Sequence, residues 1–248
     1  MSDWTHAKNN PEASREVIAK VRARYRERLV LPDTKPAKQF LLCPVGLVGA
    51  GKSTVIRPLA QKLGIPRVST DAIREMLKSK GFNYNPARDL AYSIVEELVQ
   101  AGHSVAVDSN CGSDDALQRL KSLQEKYPFK LIWLRVNPPE SFILSKLKNY
   151  RHTWLFKDTS EALKSYFKYK ERYGDFENLD VPYLYTFDTS RPNMKDQIEE
   201  ACSRIENELS RSQRQNATLY PLSLVILLWK KMIEQWSRLR RERMSRQK

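Results

Sequence analysis

The spacing of apolar positions changes along this chain, and the changes outline its elements. In "PEASREVIAKVRARYRERLV" (11–30), Ile18, Val21, Tyr25 and Leu29 recur at helical spacing with arginines between them, which predicts an amphipathic helix. "LPDTKPAK" (31–38) is a proline-bearing linker. Beyond it, short apolar runs alternate with helical patterns. The runs are "FLLCPV" (40–45), "IPRVS" (65–69), "SVAVD" (104–108), "FKLIWLRV" (129–136) and "VPYLYTFD" (181–188). Helices are predicted near 52–62, 71–79, 86–101, 113–126, 139–150, 159–173 and 193–210. Strands alternating with helices imply an α/β fold, a parallel sheet covered on both faces. The runs are continuously apolar rather than alternating, as in strands buried on both sides. No repeat at a solenoid period is present.

Composition narrows this picture. A chain of 248 residues, 41% hydrophobic, suits one α/β domain with extensions. The division expected is 1–38 as N-terminal helix and linker, 39–210 as the α/β domain, and 211–248 as a basic amphipathic C-terminal helix. The net charge of +14 is uneven, with +4 in residues 1–38, +8 in residues 211–248 and +2 between them. A nucleic-acid partner would therefore meet the flanks first, although a basic tail that aids solubility reads the same way. Cys43, Cys111 and Cys202 form no CxxC pair and no zinc spacing, and the opening "MSDWTHAKNN" is polar with no signal peptide, so a reduced cytoplasmic compartment is expected. In the tail, Leu222 to Trp229 is almost wholly apolar but too short to span a bilayer. It reads as a helix packing on the domain or on a second subunit, or as an interfacial helix in peripheral membrane contact; packing is favoured, because apolar stripes at helical spacing are usually core.

One stretch carries a strong chemical signal. Gly46, Gly51, Lys52 and Ser53 spell G-x-x-x-x-G-K-S within "GLVGAGKST". Glycines let successive backbone N–H groups turn inward on an anion, and the following helix adds its positive end. Lys52 would reach the β- and γ-phosphates of ATP, and the Ser53 hydroxyl would ligate Mg²⁺. The cradle would comprise Gly46, Val48, Gly49, Ala50, Gly51, Lys52, Ser53 and Thr54. Such a loop must follow a strand and open a helix, and "FLLCPV" and "STVIRPLAQKLG" supply both. Chance alone produces this spacing in about one chain in a hundred of this length. Pro44 near the strand end and Pro58 inside the helix are unusual, and neither removes a phosphate contact.

Three further elements suit phosphoryl transfer. In "VSTDAIREML" (68–77), Asp71 and Arg74 share a helical face, where a carboxylate and a guanidinium could orient a hydroxyl and hold an anionic acceptor. Asp71 as a helix N-cap and Arg74 as an exposed helix residue are the plain alternatives. Asp108 closes the apolar strand "SVAVD", where an acid beside a phosphate loop can hold Mg²⁺ directly or through water; a loop aspartate bonding backbone is the alternative. Lys146, Lys148 and Arg151 end a helix within the basic, aromatic stretch 138–173, which could close as a lid, with Arg151 the candidate for the transferring phosphoryl. His6, His103 and His152 show no partner spacing.

Together "GLVGAGKST", "STDAIR", "VAVDSN" and the basic lid resemble the phosphate-loop kinases of the polynucleotide-kinase and zeta-toxin type, to which chloramphenicol phosphotransferases are related. The resemblance spans roughly 39–210 and implies a three-layer P-loop NTPase fold, a five-stranded parallel sheet with the loop on its central strand. It also implies that Asp71 is the base and Arg74 an acceptor-phosphate ligand, and that Asp108, Ser109 and Asn110 form the turn after the third strand. Val48 stands where these kinases commonly carry proline, and the lid lysines lack the usual register of arginines. The expected function is transfer of the ATP γ-phosphate, with Mg²⁺, to a hydroxyl-bearing substrate, either a polynucleotide 5′ end or a small phosphorylated metabolite. A different class of reading is an ATP-switched adaptor whose C-terminal helix docks on a partner or a membrane; binding of nucleotide without turnover is a third.

Overall fold

The computed structural model describes residues 10–33, 35–149, 156 and 158–218. Five strands, β1 (Phe40–Val45), β2 (Arg67–Ser69), β3 (Val105–Asp108), β4 (Lys130–Val136) and β5 (Tyr183–Phe187), form one sheet in the order β2-β3-β1-β4-β5. Every pairing is parallel. The helices are α1 (Arg15–Arg26), α2 (Lys52–Lys62), α3 (Thr70–Lys78), α4 (Ala87–Gln100), α5 (Asp114–Lys126), α6 (Glu140–Lys148), α7 (Thr159–Tyr173) and α8 (Met194–Thr218). This is the parallel α/β sheet that the alternation of patterns predicts, with β1, the strand before the phosphate loop, at the centre as the family resemblance implies.

Burial explains which runs read most clearly. Every residue of β1 and β3 is buried, so these central strands are apolar on both faces. At the edge, β5 buries only Phe187 and keeps a mixed sequence. Pro44 sits within β1 opposite Leu134 of β4, and its carbonyl accepts from the Cys111 N–H at 2.9 Å. Its missing donor is thus offset by an acceptor that ties down the turn after β3. Pro58 lies inside α2.

The N-terminal helix is shorter than the pattern 11–30 suggests. Ser14 caps it, its hydroxyl accepting from the Val17 N–H at 3.3 Å, and it closes at Arg26. Of its apolar stripe, Val21 and Tyr25 are buried. Arg22 and Arg26 both pair with Glu97 of α4, so two of the arginines between the apolar positions face protein. At the other end α8 runs on to Thr218, past the expected stop at 210. The chain divides into the units Met1–Arg204 and Ile205–Lys248, and the sheet belongs to the first. The tail helix expected over 219–248 lies outside the described residues. Among the described residues no helix is long and apolar enough to cross a membrane.

Candidate active site

The loop between β1 and α2 is shaped by what approaches it. A Cβ on Gly46 would stand 2.5 Å from the Val136 carbonyl oxygen at the end of β4, closer than atoms can sit. Gly51 caps α2 at φ +96°, in the left-handed region, with the Thr189 side chain against its Cα. Thr189, from the connection after β5, donates to the Ala50 carbonyl at 2.7 Å. Asn110 accepts from the Gly46 N–H at 3.4 Å and from the Gly112 N–H at 3.3 Å. Val48 and Gly49 form the partly exposed tip, and Thr54 faces solvent on the first turn of α2.

Lys52 opens α2 and folds back over the loop. Its ammonium donates to the Gly46 and Leu47 carbonyls, each at 2.8 Å. Burial pushes its pKa down to about 8, opposed by the charges of Asp71 and Asp108 and reinforced by Lys146. The charges that act on it are those of two carboxylates, one from the start of α3 and one from the end of β3, and one cation from α6.

The Ser53 hydroxyl donates to Asp108 Oδ1 at 2.8 Å, and Arg67 of β2 pairs with Asp108 Oδ2. Asp108 is buried, so this carboxylate is held by protein on both oxygens. A hydroxyl and a carboxylate paired in this way are the hard oxygen donors that suit Mg²⁺, which takes few protein ligands and keeps waters and phosphate oxygens. The candidates Ser53 and Asp108 therefore meet.

Asp71 and Arg74 also meet, at 2.8 Å. Asp71 is not the cap of α3: Ser69 holds that position, its hydroxyl accepting from the Ala72 N–H at 3.3 Å. Arg74 packs its guanidinium over the Tyr84 ring, 5.7 Å from the centroid. Arg74 Nε is buried without a hydrogen-bond partner, as is Asn110 Nδ2.

The lid candidates separate. Ile143 and Leu147 of α6 pack against the loop tip at Gly49, which brings the neighbouring Lys146 to the Lys52 side. Lys146 is itself exposed, and the partial desolvation of its ammonium lowers its pKa. Lys148 ends α6 and is exposed. Arg151, with His152, lies outside the described residues, as does His6; His103 is buried before β3. Residues that pattern reading passed over are Arg67, Asn110, Thr189, Tyr84 and Tyr25. Asn110 sits in the quoted D-S-N turn, but no spacing marks the others as polar contacts.

Comparison with known proteins bears on the fold. The profile of a family described as an AAA domain matches residues 41–164, which carry the loop, Asp71, Arg74 and Asp108. A protein of solved structure from Chloroflexus aurantiacus, provisionally described as a kinase, is 21% identical, covers 68% of this chain and 99% of its own, and superposes with a TM-score of 0.55. A gluconokinase from Sinorhizobium meliloti, 18% identical, covers 73% of this chain and 99% of its own at a TM-score of 0.48. A structure from the PezAT toxin–antitoxin system of Streptococcus pneumoniae, 15% identical, covers 85% and 100% at 0.49. No curated protein matches the sequence. The first of these likenesses shows a P-loop kinase-type fold.

Proposed function

The chain belongs to the AAA domain family, and from that premise we propose that it is a phosphotransferase moving the γ-phosphate of ATP to a hydroxyl acceptor. One arrangement carries the reading: the Ser53 hydroxyl of the loop meets Asp108 at the end of β3, and the neighbouring strand β2 leads directly into the paired Asp71 and Arg74. A loop that only held nucleotide needs no such ionic pair beside it.

In this reading the loop amides and Lys52 hold the β- and γ-phosphates. Mg²⁺, held by Ser53 with Asp108 behind it, would neutralise phosphate charge. Asp71 accepts the proton as the acceptor oxygen bonds to the γ-phosphorus. The bond to the β–γ bridging oxygen breaks, and its electron pair leaves with ADP. Arg74, with its free Nε, binds an anionic group of the acceptor and fixes the hydroxyl beside Asp71. Lys146 of α6 adds positive charge on the lid side. The acceptor class is then a hydroxyl compound carrying a phosphate or carboxylate, which includes polynucleotide 5′ ends and small phosphorylated metabolites.

The test is incubation with γ-labelled ATP and Mg²⁺, with and without a 5′-hydroxyl oligonucleotide, beside Lys52→Ala. Label on the oligonucleotide, absent in the variant, supports a polynucleotide acceptor. Free labelled phosphate alone rejects that acceptor and points to small hydroxyl metabolites. No Lys52-dependent turnover overturns the transferase reading.

A further inference from the structure

The segment before the matched family region touches the acceptor side of the site at two places. Tyr25 of α1 is buried, and its hydroxyl accepts from the Ser69 N–H at 2.6 Å. Ser69 is the cap of α3, two residues before Asp71. The same hydroxyl lies 3.5 Å from the carbonyl of Arg67, the residue whose side chain grips Asp108. One phenol therefore stands at β2, the strand that leads into Asp71 and carries the arginine paired with Asp108.

The second contact braces the other wall. The Asn83 N–H donates to the Pro11 carbonyl at 3.0 Å, and Asn83 Nδ2 donates to the Asn10 carbonyl at 3.3 Å. Asn10 Nδ2 returns a bond to the Phe82 carbonyl at 3.5 Å. Asn83 is buried and immediately precedes Tyr84, the ring under Arg74. Asp71 and Arg74 thus lie between two points, Ser69 and Asn83, that are each held by residues 10–26. The outer face of α1 is tied to α4 by the Arg22 and Arg26 pairs with Glu97, so the clasp has its own anchor.

We propose that residues 10–26 are a positioning element of the acceptor half-site, with the Tyr25 hydroxyl fixing the start of α3 and hence the Asp71 carboxylate. The proposal rests on the transferase reading for its kinetic consequence. Tyr25 touches no substrate; it acts through Asp71. The nucleotide loop is held directly by Asn110 and Thr189 and reaches the Arg67 corner through the Ser53–Asp108 bond, so the two half-sites respond unequally to loss of the α1 contact.

The experiment is Tyr25→Phe in the full chain, which keeps the ring in its buried place and removes only the hydroxyl. Transfer from γ-labelled ATP to the 5′-hydroxyl oligonucleotide is measured for the parent, Tyr25→Phe, Asp71→Asn and the double variant, together with hydrogen exchange of the peptides over 40–62 and 68–77. We expect kcat to fall roughly tenfold, within the scale on which misplacing a reacting group acts, with KM for ATP unchanged. The double variant should be no slower than Asp71→Asn alone. Exchange should rise over 68–77 and stay constant over 40–62. Unchanged kcat in Tyr25→Phe beside a slow Asp71→Asn overturns the proposal, as do losses that multiply in the double variant. Parental rates in Asp71→Asn remove Asp71 from the chemistry, and a parent that transfers nothing to the oligonucleotide rejects that acceptor; in neither case do rates report on the positioning element. Exchange then decides alone: a rise confined to 68–77 sustains the positioning element, and equal exchange rejects it.

Discussion

The loop that would hold ATP is one stretch of chain, Gly46 to Thr54, whereas the side facing it is collected from Tyr25, Ser69 to Arg74, Asn83 to Tyr84 and Asp108. The loop would act mainly through backbone N–H groups and one lysine. The opposite side presents side chains, each held by another: Asp71 by Arg74, Arg74 by Tyr84, Asp108 by Arg67 and Ser53. A contiguous cradle depends on glycines where other atoms crowd it. A collected site depends on every brace that fixes its members. Substitutions should therefore separate the two, with nucleotide binding answering to one set and transfer to the other.

The largest effect belongs to Lys52. Lys52→Ala removes the cation of the phosphate loop and should lower turnover by roughly a thousandfold. Labelled phosphate released per hour measures it. Asp71→Asn comes next, with transfer falling by roughly a hundredfold or more while ATP affinity, read by titration, stays at the parental value. Since Ser69 and not Asp71 caps α3, the helix should lose little stability. Near-normal transfer at saturating substrate would remove Asp71 from the chemistry. Gly46→Ala strikes the cradle alone. Its Cβ must displace the Val136 carbonyl, and a cost of about 1–3 kcal/mol in thermal unfolding is expected, together with weaker ATP binding.

The same contrast decides what the sequence made legible. Strands and helices stood out because β1 and β3 are buried on both faces and their runs are wholly apolar. The phosphate loop was legible because its chemistry is local: Gly46, Gly51, Lys52 and Ser53 act within a few residues of one another. Asp71 and Asp108 could be named from position at strand ends, Arg74 from its helical spacing to Asp71 and Ser53 from the loop motif, and the structure brings Asp71 to Arg74 and Ser53 to Asp108. Tyr25 was legible only as an apolar position on α1, since its spacing reports the ring and says nothing of the hydroxyl on Ser69. Arg67 and Thr189 reach their partners across the sheet and across the chain, where no local period exists to betray them.

Protonation offers a smaller and graded separation. Burial holds the Lys52 pKa down to about 8, below the ordinary lysine range. Bound triphosphate favours the charged form, so ATP binding draws a proton on once the pH exceeds that value. Affinity should be flat below about pH 8 and weaken above it by up to about tenfold per unit. Without nucleotide the sign is opposite for stability. The folded chain binds fewer protons than the unfolded chain above about pH 8, so this group's contribution to stability rises from there toward the ordinary lysine range. Calorimetric ATP titrations at several pH values, beside Lys52→Arg whose charge persists, test the first statement.

Thr189→Val should give the smallest change and the most selective one. The substitution keeps the branched shape against Gly51, where the threonine methyl already lies at contact, and removes the donor to the Ala50 carbonyl. One hydrogen bond of ordinary strength is lost, about 1 kcal/mol, and the carbonyl at the loop's last turn is left free to shift. The Asp71–Arg74 side gains and loses nothing, because its braces come from α1, Ser69 and Tyr84. KM for ATP should therefore rise severalfold with kcat nearly constant, the reverse of the pattern expected for Tyr25→Phe, and Thr189→Ser should restore the parental KM. A fall in kcat at saturating ATP would mean that the loop and the acceptor side move together, and the division into a local cradle and a collected ledge would not describe how the site works.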